Sequence, residues 1–183
     1  MAINACEVNI ALLRFGAEKK VGYARVTPIA YGNNGAFAIR LNNAVVKEVY
    51  GAGEDCCNDK GNNDDREICD AFGRPTALAV LELKAEDATK AFRELKEKAL
   101  DDYFWTEAAS AKYCGMKDMF SMLLTPIVRR GGDGAALVKA VVANEDREAF
   151  AAAVGEAMDV VVTVSGLYTV GEKCGFMVEV VRP

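Results

Sequence analysis

The sequence predicts an α+β protein. An N-terminal antiparallel β meander over residues 1–50 is followed by a ferredoxin-like βαββαβ unit, with an extra C-terminal strand, over residues 76–183. Three observations lead there. The first fifty residues break into short segments of period-two apolar alternation divided by Gly/Asn turns, the pattern of half-buried strands. From Thr76 to Ser165 the periodicity alternates between strand and helix in the order strand, helix, strand, hairpin, strand, helix, strand. Between the two parts lies GAGEDCCNDKGNNDDREICDAFGRP, residues 51–75, with almost no apolar content for an element of its own. It reads as an acidic, cysteine-containing loop punctuating one compact domain.

Taken in order, residues 3–15 place Cys6, Val8, Ile10 and Leu12 on one face and Glu7 and Asn9 on the other, which predicts a first strand. Residues 16–20 form a polar turn. Residues 21–31 predict a second strand, with Pro28 marking an edge or an end because proline lacks the ladder N–H. Gly32-Asn33-Asn34-Gly35 is a strong turn, since Asn and Gly tolerate positive φ. Phe37, Ile39 and Leu41 share one face of a third strand, Asn42-Asn43 punctuate, and residues 44–50 predict a fourth.

Beyond the loop, residues 76–84 read as a strand. Residues 85–104 read as a helix whose stripe is Ala88, Ala91, Phe92, Leu95 and Ala99. Glu86 and Asp87 suit the positive end of its dipole. Residues 105–117 are ambiguous between a short helix and a loop. Residues 119–130 predict a strand interrupted by Pro126, Gly131 to Gly134 a hairpin turn, and residues 135–143 a central strand. Asn144 is the expected N-cap of a helix over residues 145–157. Residues 159–165 predict the next strand, residues 166–171 a turn and residues 172–182 the last strand.

Composition excludes several chemistries. The 183 residues are 51% apolar, enough for a real core. The chain has no histidine, which removes imidazole acid–base catalysis, Ser–His and Cys–His nucleophiles and His-ligated metals. No apolar run approaches the roughly 20 residues of a membrane span. The start, MAINACEVNIALLRF, lacks the basic opening and long apolar stretch of a secretory signal. The expected address is the cytoplasm or a particle assembled there. Six cysteines in that setting predict free thiols, with Cys6, Cys114 and Cys174 packed as small apolar residues.

The formal charge is −5, and residues 54–70, with seven acids and two bases, account for all of it. Apart from Arg129–Arg130 no basic cluster appears, so nucleic acid is not the expected partner. The acidic loop is read as a contact surface through Asp55, Asp65 and Glu67, with Arg129 and Arg130 as a second contact. An alternative makes it a metal site for zinc or calcium using Cys56, Cys57, Cys69, Asp59 and Asp64. Adjacent cysteines depart from a zinc knuckle, and Gly61 breaks the calcium-loop template that would start at Asp59. A cysteine nucleophile is disfavoured, because the neighbouring acids raise a thiol pKa. Tyr50-Gly51-Ala52-Gly53 opens like a phosphate loop but runs into acids. Asp101–Asp102 beside Tyr103, Phe104 and Trp105 is the remaining acid–aromatic set, and it would serve a carboxylate-based hydrolase. The expected function is a non-catalytic structural or interaction protein, a subunit of a larger homo- or hetero-oligomeric assembly such as a virion or tail component.

Overall fold

A computed structural model describes residues 2–33, 35–51, 76–103, 124–171 and 173–183. Of the described residues 52% are strand. In chain order the elements are β1 (Ile3–Asn4), β2 (Leu13–Phe15), β3 (Lys19–Val21), β4 (Ala24–Tyr31), β5 (Phe37–Tyr50), β6 (Ala77–Leu83), α1 (Glu86–Lys98), β7 (Val128–Arg130), β8 (Ala136–Val142), α2 (Arg147–Ala152), β9 (Ala157–Val170) and β10 (Lys173–Val181).

Five strands close into a barrel. β5 pairs antiparallel with β6, β6 with β8, β10 with β9, and β9 with β5. The ring is completed by a parallel seam between β8 and β10, with Glu179 opposite Val141 and Val180 opposite Val142. Buried side chains fill the inside: Ile39 faces Val162, Leu81 faces Val138, and Val180 faces Val162, all fully buried. Phe92, Leu95 and the alanines of α1 join the same apolar cluster.

This closure overturns the expected α+β, ferredoxin-like βαββαβ unit. In that unit the first and last strands would pair. Here β5 takes the edge of β6, and β9 pairs with β5 and β10 instead. The two helices among the described residues are short, and the sheet closes instead of lying open under them. The N-terminal meander is corrected too. β4 and β5 lie one after the other along a single edge of β9, because β10 occupies its opposite edge.

Bulges make that closure possible by bending strands and re-aiming side chains. In β5 the register shifts between Leu41 and Ala44. Asn43 sits there at φ 55, so Phe37, Ile39 and Leu41 and then Ala44 and Val46 all point inward despite the change of parity. The two expected strands are therefore one of 14 residues. In β9 the exposed Ser165 is the extra residue, switching the inward set from Val160, Val162 and Val164 to Leu167. Gly166 lies in the strand and not in a turn, because its backbone packs against Thr27 of β4: a Cβ there would stand 2.8 Å from the Thr27 carbonyl oxygen.

Other elements depart locally from expectation. Residues 5–7 and 10–12 form 3-10 turns between β1 and β2, leaving Cys6 exposed, while Cys174 is buried. α1 runs on as a π turn over Ala99–Tyr103. The second helix starts with a 3-10 turn, Asn144–Asp146, whose N-cap is Ala143 and not the expected Asn144. Among the described residues no helix is long and apolar enough to cross a membrane.

Candidate interaction surface

Among the described strands β3 is exposed throughout, and it forms a hairpin with β4. Gly22 at φ 60 and Tyr23 link Val21 to its partner Ala24. Glycine at the first of two loop positions is the pattern of a type II′ turn, whose twist matches the flanking strands. All three β3 residues are exposed. Tyr23 is 99% exposed and Val21 49%. Lys20 stands directly opposite Arg25, and like charges across a ladder repel. The base of the arm is held firmly. Glu18 accepts from Arg25 at 3.1 Å and from the Tyr103 hydroxyl at 2.8 Å, and Phe15 packs 6.1 Å from the Tyr103 ring. An exposed aromatic with basic neighbours on a braced two-stranded arm is built for contact more than for chemistry.

At the other end of the β9–β10 ribbon an open cleft of about 720 Å³ is lined by Glu145, Asp146, Asp159, Val181, Arg182 and Pro183. Asp146 is 6% exposed. It accepts from the Arg182 guanidinium (Nε to Oδ1, 2.7 Å) and from the Arg182 backbone N–H (2.8 Å). These bonds hold its carboxyl below the ordinary 3.8, since hydrogen bonds to a carboxylate favour the ionised form. Asp159 accepts from the Asn43 backbone N–H at 3.0 Å, tying the β5 bulge to the start of β9. Glu145 is exposed on the rim.

Two further polar groupings lie elsewhere. Glu82 pairs with Lys84 and with Lys47, the latter at 3.1 Å. The two ammonium groups, Lys84 first, lower its carboxyl pKa. A second cleft, about 370 Å³, lies where the first 3-10 turn and the β5 bulge meet the start of α1, and includes Cys6, Arg40, Lys84 and Asp87. Near the loop boundary, Arg147 donates to the Gly51 carbonyl at 3.0 Å, and the Lys139 ammonium lies 5.3 Å from the Tyr50 ring centre. Cys174 is an inert thiol, its pKa pushed up to about 11 by burial.

Of the residues singled out from sequence, Arg129 and Arg130 are exposed on β7, opposite Leu137 and Ala136 of β8. Asp55, Asp65 and Glu67 lie outside the described residues, as do Cys56, Cys57, Cys69, Asp59 and Asp64. Among the described residues no group of three or more Cys, Asp or Glu is placed to hold a metal ion. The acids discussed above instead spend their oxygens on protein donors, Glu82 on lysines, Asp146 on Arg182 and Asp159 on the Asn43 N–H. Asp101 and Asp102 are exposed at the π turn, Asp102 pairs with Lys98, and neither lines the two clefts.

Sequence reasoning missed both the arm and Asp146. The arm carried a signal, a Gly-Tyr pair between KKV and AR, hidden because Lys19 and Lys20 were assigned to a turn. Asp146 carried none, since its partner is 36 positions away. The chain matches no family model and no curated protein.

Proposed function

We propose that the protein is a non-catalytic structural or interaction protein, working as a subunit of a larger protein assembly in the cytoplasm or in a particle built there. A virion or tail component is the kind of assembly meant. The observation that carries this reading is the β3–β4 arm, with Tyr23 at 99% exposure and Val21 at 49% beside it. Large apolar groups held in water at the exposed turn and outer strand of the sheet gain free energy when a partner covers them. The braced base means that little conformational freedom is lost on docking. The alternative of a carboxylate hydrolase gains no support from the exposed positions of Asp101 and Asp102.

The test is the mass of the purified full chain in solution, by sedimentation over a wide concentration range. The expected result is species heavier than the 19.7 kDa chain, or a stoichiometric partner that stays bound through purification. A particle that remains a single copy at every concentration, with nothing bound, overturns the reading.

A further inference from the structure

The arm and the acidic cleft sit at opposite ends of one ribbon. Arg25 pairs with Thr169 of β9, and Asp159 lies at the start of the same strand. Ten residues separate Asp159 from Thr169, which at about 3.3 Å per residue is roughly 33 Å. One copy therefore cannot fold its arm into its own cleft. The two features are complementary in charge and form. The arm is a hairpin of the sheet whose outer strand and turn are exposed, carrying Lys19, Lys20 and Arg25 near Tyr23, with Glu18 paired to Arg25. Among the described residues the cleft carries Glu145, Asp146 and Asp159, with Arg182 as its one base and Pro183 as an apolar contact for an aromatic ring.

We infer that the arm of one copy docks in the Glu145/Asp159 cleft of a second copy, a head-to-tail contact between copies of this chain. This rests on the assembly reading above and names its partner. The contact uses two different surfaces, so it is heterologous: repeated, it produces rings if the rotation closes and filaments if it does not. Glu18 already pairs with Arg25, so the arm's remaining positive charge for a partner's carboxylates is that of Lys19 and Lys20, both exposed.

The experiment uses full-length protein and two substitutions at exposed positions, Lys20→Glu on the arm and Glu145→Lys on the cleft rim. Lys20→Glu places opposite charges across the β3–β4 ladder, so loss of association cannot come from loss of the arm. Each variant alone is expected to weaken self-association about tenfold or more, because like charges then meet at the contact. The wild-type association is expected to weaken with added salt. An equimolar mixture of the two variants retains one intact pairing, the wild-type arm of one with the wild-type cleft of the other. Its altered arm and altered cleft again carry opposite charges, so the mixture is expected to recover association well above that of either variant alone. Variants that associate like wild type overturn the arm–cleft contact while leaving the assembly reading in place. A mixture that stays single-copy overturns it as well. Wild type that never self-associates overturns this contact, and the further absence of any bound partner removes the assembly reading with it.

Discussion

Asp146 and Asn43 show how single residues fasten this barrel. Asp146 joins the start of the second helix to the strand end at Arg182 through two short bonds. Asp146→Ala is expected to lower unfolding free energy by about 1–3 kcal/mol, the range for removing one partner from such bonds, measured by urea denaturation. Its folded pKa is lowered from 3.8. The stabilisation is therefore complete above that ordinary value and is lost as pH falls below it through the folded value. The gap between wild type and Asp146→Ala should persist at neutral pH and close below about pH 4. An unchanging gap would show that the bonds do not depend on the charge. The thiols give a second residue-scale expectation. Exposed Cys6 should be alkylated in the native protein, whereas buried Cys174, with its pKa near 11, should react only after unfolding. Peptide mapping after a brief alkylation pulse reads this directly.

At the scale of elements, two long strands with bulges organise everything else. Asn43 occupies the left-handed region at φ 55, where Asn is tolerated and β-branched residues are strained. Asn43→Val is expected to cost about 1–2 kcal/mol, while Asn43→Gly should be close to neutral, both read by thermal or urea unfolding. Gly166 is constrained differently. Alanine there would set its Cβ 2.8 Å from a backbone oxygen of β4, and backbone cannot step aside as a side-chain tip can. Gly166→Ala should destabilise by about 1–3 kcal/mol and should raise hydrogen exchange preferentially along residues 24–28, where β4 meets β9. The Asn42-Asn43 punctuation was legible in the sequence. It reads as the end of a strand because a bulge and a turn use the same residues. At Gly166 the same ambiguity produced a turn where the strand in fact continues, and only the neighbouring Thr27 backbone settles which it is.

At the scale of the whole molecule, one cluster of apolar side chains runs from the barrel interior to the inner face of α1. Phe92 is fully buried in it. Phe92→Ala is expected to cost about 3–5 kcal/mol, a large share of the roughly 5–15 kcal/mol that stabilises a typical domain. The variant should show a much lower urea midpoint, and a loss under 1 kcal/mol would mean that α1 docks without carrying core energy. What the sequence by itself determined is what depends on near neighbours along the chain. The apolar alternation of Phe37, Ile39 and Leu41, the helical stripe through Phe92 and Leu95 and the Gly131–Gly134 hairpin all follow from local sterics and periodicity, whereas Pro28, expected at an edge or an end, lies inside β4 between β9 and β2. Missing histidine likewise excluded imidazole chemistry without any coordinates. What only the tertiary structure decided is which edges meet. β5 reaches β6 and β9 on its two sides, β10 seals the ring against β8, Asp146 finds Arg182, and the arm and acidic cleft are set at opposite ends of one ribbon. The physical reason is that a strand's pattern specifies which face is buried but carries no label for its partner. A sheet whose edges can close removes exposed N–H and C=O groups that an open sheet would leave at its rims, so pairing is settled by the whole set of strands together.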